Sequence, residues 1–104
     1  MQITQHKQDG WTVAAVDGNI DHDNSLVFST ELLALINGGE TRVRLDLGAC
    51  DFVCSSGLGA IAAALMVARS RGGDMEVLNA GNNVRNLFRT TRLNTILKVS
   101  RERG

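Results

Sequence analysis

The sequence lacks any apolar run approaching the roughly 18 to 20 residues that a membrane-spanning helix requires. Its N-terminus, MQITQHKQDG, has neither the basic start nor the apolar stretch of a secretory signal. We therefore expect a cytoplasmic protein with no membrane partner. A length of 104 residues, 43% of them hydrophobic, predicts one soluble globular domain with a modest core.

Cysteine and histidine are also scarce, with two of each. Cys50 and Cys54 are four positions apart, which is neither the C-x-x-C redox spacing nor half of a recognisable zinc site. We predict two reduced thiols that pack in the interior. Nothing in the sequence places His6 or His22 beside a serine, so a Ser-His-acid catalytic site is disfavoured. We expect no metal, no cofactor and no catalytic residue.

Aromatic residues make up only 4% of the chain, and the formal net charge is zero. The charge is nevertheless unevenly distributed, because acidic residues outnumber basic ones in residues 1–79 and basic residues outnumber acidic ones in residues 80–104. Arg85, Arg89 and Arg92 recur at helical spacing and form a possible basic ridge. With few aromatic rings to stack on bases, we interpret this ridge as a solvated helix face and expect no nucleic-acid partner.

The spacing of apolar residues switches repeatedly between the periods of strands and helices. Strand-like alternation over residues 2–7 and 11–17, joined at Asp9-Gly10, predicts an N-terminal hairpin. Further strands are predicted at 41–47, 75–78 and 96–99. Three helices are predicted from apolar stripes at Phe28, Leu32, Leu35 and Ile36, at Leu58, Ile61, Ala62 and Leu65, and at Val84, Leu87 and Phe88. This order predicts an α/β fold, with a mixed β-sheet that opens on a hairpin and helices packed on it.

Residues 52–59, FVCSSGLG, fall where the third predicted strand gives way to the second helix. Neither Ser55 nor Ser56 is preceded two positions earlier by the glycine of a hydrolase nucleophile elbow, and no lysine is present for a phosphate-binding loop. One serine here would cap the helix. The second, beside Gly57 and Gly59 that let another chain approach, is then free for a functional role.

At these residues the sequence resembles the STAS-domain anti-sigma factor antagonists, whose central motif is close to F-x-D-S-S-G-L-G. Phe52 and the run from Ser55 to Gly59 match it. GNID at residues 18–21 resembles the family's G-x-[LI]-D, and VRNLF at 84–88, with Leu93, resembles its V-[KR]-x-L-F helix. The resemblance implies a single STAS domain over residues 1–104.

The family works as a non-enzymatic partner switch. By resemblance, the unphosphorylated domain binds an anti-sigma factor that is also a GHKL-type serine kinase. Phosphorylation of the first serine of the pair releases this anti-sigma factor from the domain, and a PP2C-type serine phosphatase resets the switch. Carried over by position, the phosphoacceptor is Ser55, and Ser56 is the second serine and helix cap. The residues implied at the kinase interface are Asp21, Cys54, Ser56, Gly57, Leu58 and Gly59.

Three positions depart from the family pattern. Cys54 replaces the aspartate before the acceptor, Asn82 replaces a proline, and Arg92 replaces the glycine common before Leu93. The loss of the aspartate removes a charge that helps to orient the hydroxyl or the kinase. Two alternatives stay open: a STAS scaffold or sensor that binds a partner or a small ligand without phosphorylation, and an enzyme with Cys54 as nucleophile.

Overall fold

Five strands alternate with three helices in a computed structural model that describes residues 1–101. The elements, in chain order, are β1 (Gln2–Gln8), β2 (Trp11–Asp17), α1 (Ser25–Asn37), β3 (Arg42–Ala49), α2 (Ser55–Ser70), β4 (Asp74–Leu78), α3 (Asn82–Thr90), a 3-10 turn (Leu93–Thr95) and β5 (Lys98–Val99). Within the described part of the chain, no helix is long and apolar enough to cross a membrane.

The strands form one sheet in the order β1-β2-β3-β4-β5. β1 pairs with β2 antiparallel, and each later pair is parallel. Asp9 and Gly10 both have positive φ, at 54° and 82°, which is the backbone of a type I′ hairpin turn. The predicted α/β fold with an N-terminal hairpin and a mixed sheet is confirmed.

One face of the sheet carries the core. Ala14, Leu45 and Val77 align across β2, β3 and β4 and are completely buried. Because the crossovers β2-α1-β3 and β3-α2-β4 step in the same direction along the sheet, right-handed connections place α1 and α2 on this same side, where they pack together. The N-termini of both helices therefore lie at the edge where β2 and β3 end.

The predicted elements differ from the observed ones mainly at their ends. β3 extends to Ala49, two residues beyond the prediction, and β5 is only two residues long because the chain before it forms a 3-10 turn. On α2 the buried stripe includes Ala64 and Ala68, whereas Ala62 is only partly buried. Arg92, just before the turn, has a left-handed backbone with φ 63°, which suits the glycine that the family commonly has at this position.

Candidate functional site

Two loops lie side by side at the start of α2. The Cys54 N–H donates to the Ile20 carbonyl at 2.8 Å, and the Ile20 N–H donates to the Phe52 carbonyl at 3.0 Å. These bonds join the loop after β2 to the loop before α2. Asp21 and Ser55 directly follow the bonded residues Ile20 and Cys54, so the structure brings them to the same edge of the domain.

Ser55 is exposed and is the first residue of α2. The first hydrogen bond of this helix runs from the Leu58 N–H to the Cys54 carbonyl, at 2.9 Å. The N–H groups of residues 55, 56 and 57 therefore have no acceptor within the helix. Together with the helix dipole, they favour an anion at this position by about 0.3 to 1 kcal/mol when it is exposed to solvent.

The N-cap position belongs to Cys54 rather than to a serine. Cys54 has an extended backbone, with φ −70° and ψ 167°, and no side chain makes a cap hydrogen bond to the start of α2. The Ser56 hydroxyl lies 3.2 Å from the Cys54 sulfur. The prediction that Ser56 caps the helix is wrong, because Ser56 is already the second residue of the helix and a capping residue must precede the first.

Half of the predicted interface is buried. Cys54 and Leu58 are only 3% and 5% exposed, and Gly57 is buried as well. A Cβ on Gly57 would lie 2.7 Å from Ile20 Cγ2 and 2.9 Å from Val53 Cγ1. The prediction that this glycine leaves room for another protein chain is therefore wrong, because side chains of the same domain fill that space.

Gly59 is different, because it is exposed and a Cβ there would meet nothing within 4 Å. Ser56 is also exposed. Of the residues expected at the interface, Asp21, Ser56 and Gly59 reach the surface beside Ser55, and the other three support that surface from below.

Asp21 has a structural role that the sequence analysis missed. Its Oδ1 accepts the N–H groups of Asp23 and Asn24, at 3.0 and 3.1 Å, and the Asn24 Oδ1 accepts the Asp21 N–H at 2.9 Å. This reciprocal pair, three residues apart, resembles a capping box and holds the turn that leads into α1. The D-x-x-N spacing before an apolar run was the signal that could have revealed it.

Exposed apolar side chains accompany Ser55. Leu26 and Val27, in the first turn of α1, are 77% and 53% exposed, and Phe52 is 47% exposed. Both helices begin where β2 and β3 end, so these three residues and Ser55 are all exposed at that end of the domain. We call these four residues the switch surface. Leu26 and Val27 were not predicted as functional residues, although both lie outside the stripe of residues that α1 buries against the core.

The two cysteines are free and buried, as the packing interpretation expected. The Cys50 thiol donates to the Phe52 carbonyl at 3.3 Å, and burial raises the pKa of this thiol.

On α3, Arg85 and Arg89 each donate to an asparagine one turn earlier on the same helix.

This fold, with a pair of serines at the start of its second helix, is that of a small STAS domain. A family model described as "Mlab, STAS domain" matches residues 3–98, and the chain belongs to the STAS-domain family. The resemblance inferred from the motifs is thereby confirmed.

One curated relative and several solved structures extend the comparison. A Bordetella bronchiseptica protein named as an anti-sigma factor antagonist, BtrV, is 30% identical over 103 residues, which cover 99% of this chain and 89% of BtrV. A Thermotoga maritima protein described as an anti-sigma factor antagonist has a similar crystal structure, with a TM-score of 0.87 and 20% identity over 93% of this chain and 84% of that one.

The antagonist SpoIIAA has the same fold in two states. Its unphosphorylated form gives a TM-score of 0.79 at 19% identity, covering 95% of this chain and 88% of that one. Bacillus SpoIIAA in the phosphorylated form gives 0.71 at 18% identity, covering 95% and 91%.

Proposed function

We propose that this STAS domain is an anti-sigma factor antagonist controlled by phosphorylation of Ser55. The unphosphorylated protein binds an anti-sigma factor that is also a GHKL-type serine kinase, and the phosphate on Ser55 ends that binding. A PP2C-type serine phosphatase resets the switch. The chain acts as one domain in the cytoplasm, by binding and not by catalysis. The observation that carries the proposal is an exposed serine at an uncapped helix start, within an exposed apolar surface.

The apolar residues of the switch surface explain how a partner would bind. Leu26, Val27 and Phe52 offer a contact that excludes water, and the Ser55 hydroxyl adds no charge to it. The role stated in the names of the relatives, above all in that of BtrV, supports an anti-sigma factor as the partner.

A phosphate on Ser55 adds about −1.5 to −2 charges to this surface. Bringing that charge into contact with a partner that has no matching cation costs several kcal/mol, because the phosphate must give up its water. Asp21 on the same edge adds negative charge. Both effects lower the affinity for the partner, so modification of one hydroxyl is sufficient to release it.

The domain itself tolerates the phosphate. The free N–H groups of residues 55–57 stabilise an anion at the start of α2 by about 0.3 to 1 kcal/mol, while Asp21 repels it by a comparable, salt-screened amount. The net change in the free energy of unfolding is within about 1 kcal/mol. The switch therefore acts through its surface and not by unfolding α2.

An enzyme that uses Cys54 as nucleophile fits the structure less well. A nucleophilic thiol must reach its substrate, and Cys54 is only 3% exposed, with its sulfur next to the Ser56 hydroxyl. A STAS scaffold that ignores phosphorylation would use the same surface, and only the response to charge at Ser55 separates it from a switch.

The test compares four immobilised proteins in a native cell extract: wild type, Ser55→Ala, Ser55→Asp and Ser70→Asp. Ser70→Asp is the matched control, because it places the same charge at an exposed serine at the opposite end of α2. Quantitative mass spectrometry of the retained proteins should find a GHKL-type anti-sigma factor on wild type and on Ser55→Ala. Ser55→Asp should lose it, and Ser70→Asp should keep it.

Phosphopeptide mapping of the native protein completes the test. Phosphate should appear on Ser55. If the phosphate lies on Ser56, the two serines must exchange roles. If Ser55→Asp retains the same partners as wild type, the domain is a scaffold and the proposed switch is wrong.

A further inference from the structure

The switch surface is built from two segments that are distant in the sequence. Leu26 and Val27 belong to the first turn of α1, whereas Phe52 lies in the loop before α2 and Ser55 is the first residue of that helix. The position of Phe52 relative to α1 therefore depends on the contacts between the loop after β2 and the loop before α2.

The backbone bonds between these two loops leave one N–H group without an acceptor. The Gly18 N–H donates to the Ala49 carbonyl and the Ile20 N–H donates to the Phe52 carbonyl, both at 3.0 Å. Between these two bonds the chain advances by two residues in the loop after β2 and by three residues in the loop before α2. The extra residue interrupts regular pairing, and the Asp51 N–H has no backbone acceptor within residues 1–101.

The side chain of Asn19 supplies the missing acceptor. Its Oδ1 accepts the Asp51 N–H at 2.8 Å. Because the Ile20 N–H holds the Phe52 carbonyl, hydrogen bonds fix residues 51 and 52 at both ends. Of these two bonds, only the one from Asn19 is made by a side chain. A substitution can therefore remove it and leave the backbone bond in place.

Asn24 extends this connection to the start of α1. Its Nδ2 donates to the Asn19 carbonyl and its Oδ1 accepts the Asp21 N–H, both at 2.9 Å. Asn24 is the N-cap residue of α1, but its side chain makes no cap hydrogen bond to that helix. Both polar ends of the side chain are used within the loop instead. The residue before α1 and the residue before Phe52 are thus both bonded to Asn19.

We propose that Asn19 is a positioning residue, which holds Phe52 in place for contact with the partner protein. Asn19 acts through the loop and need not touch the partner itself. Phe52 is 47% exposed, so its ring is partly supported by the domain and partly available to a partner. This inference rests on the proposed function and deepens it, because it names the residue that orders one part of the switch surface.

Loss of this bond should weaken binding and leave the domain folded. The Ile20 N–H still holds the Phe52 carbonyl, so the loop stays attached at one end. Residues 51 and 52 gain freedom that the partner must remove when it binds. Ordering one such side chain at an interface lowers affinity by about two- to tenfold. We expect Asn19→Ala to lose affinity by this factor.

Amide exchange measured by NMR tests the contact in the free protein. Wild type and Asn19→Asp should both protect the Asp51 N–H, because aspartate keeps the acceptor oxygen and the Asn19 Nδ2 makes no hydrogen bond within residues 1–101. In Asn19→Ala this N–H should exchange at least about fivefold faster. Equal exchange in wild type and Asn19→Ala would overturn the proposal.

Titration calorimetry tests the effect on binding, with the GHKL-type anti-sigma factor that wild type retains as the probe. Asn37→Ala is the matched control, because the Asn37 Oδ1 accepts a bond of the same length, 2.8 Å, from Arg71 at the other end of α1. Asn19→Ala should bind about two- to tenfold more weakly than wild type, and Asn37→Ala should bind as wild type does. If all three bind equally, Asn19 has only a structural role and the proposal is wrong.

Ser55→Asp in the same series separates this inference from the proposed function. If Ser55→Asp binds as tightly as wild type while Asn19→Ala binds more weakly, the switch is wrong and the positioning role of Asn19 stands. If Ser55→Asp loses the anti-sigma factor while Asn19→Ala keeps the wild-type affinity, the switch stands and the positioning role is wrong.

Discussion

Gly57→Ala should destabilise the domain at the point where α2 contacts the loop after β2. Carbon atoms in contact are normally about 3.5 to 4.0 Å apart, but the new Cβ would lie 2.7 Å from Ile20 Cγ2 and 2.9 Å from Val53 Cγ1. Ile20 and Val53 are 0% and 1% exposed, so neither has free space to move into. Such overpacking costs about 1 to 3 kcal/mol.

The opposing term is the helix propensity of alanine, which exceeds that of glycine by up to about 1 kcal/mol. Gly59→Ala isolates this term, because it is two residues further along α2 and its Cβ meets nothing within 4 Å. We expect Gly59→Ala to stabilise the protein slightly. The free energy of unfolding of Gly57→Ala should be lower than that of Gly59→Ala by about 1 to 3 kcal/mol.

Urea unfolding, followed by the fluorescence of the single Trp11, measures this difference. With a slope of about 1 to 1.5 kcal/mol per molar urea for a domain of this size, the midpoints of the two variants should differ by roughly 0.7 to 3 M. Val53→Ala in the Gly57→Ala background should recover part of the loss. Equal midpoints for Gly57→Ala and Gly59→Ala would show that the close packing of the two loops is wrong.

Three further changes test separate features. Arg92→Gly should raise the free energy of unfolding by up to about 1 kcal/mol, because glycine adopts the left-handed backbone of this residue without strain; urea midpoints check it. Ser56→Ala should change stability by less than about 0.5 kcal/mol, since Cys54 holds the N-cap position; a loss of 1 kcal/mol or more would restore the serine cap. Side-chain hydrogen bonds, of which that from Lys7 has the largest effect, lower the pKa of Glu40. The ionised carboxylate therefore stabilises the fold at any pH above the unfolded-state pKa of Glu40, and this stabilisation is lost as the pH falls through the lower folded-state pKa. Glu40→Gln should therefore be less stable than wild type at pH 7, and a pH series of unfolding curves should show the two converging in acid; a constant gap would contradict this.

Local patterns were sufficient for most of the fold. The Asp9-Gly10 pair identifies a hairpin turn because few residues tolerate two successive positive φ angles. The alternation in β3 and the stripes on the helices follow from burial on one face. The last strand was predicted too long because Ile96 continues an apolar pattern, although its side chain is 43% exposed beside the 3-10 turn.

The candidate site was less predictable because its details depend on contacts between distant segments. The motif identified Ser55, but a string of residues does not reveal that Ile20 fills the space beside Gly57. Leu58, which the motif alone assigned to an interface, is only 5% exposed and belongs to the core. The apolar switch surface was missed for a related reason, since Leu26 is ordinary in a helix until the fold shows which side faces solvent.

The most direct test of the proposed switch is titration calorimetry of the captured anti-sigma factor with two forms of this protein, unmodified and phosphorylated on Ser55. We predict that the phosphorylated form binds at least about a hundredfold more weakly, a loss of about 2.7 kcal/mol, while amide exchange of residues 55–70 stays protected in both. Equal affinity of the two forms, or loss of that protection on phosphorylation, would contradict a switch that acts through the surface around Ser55.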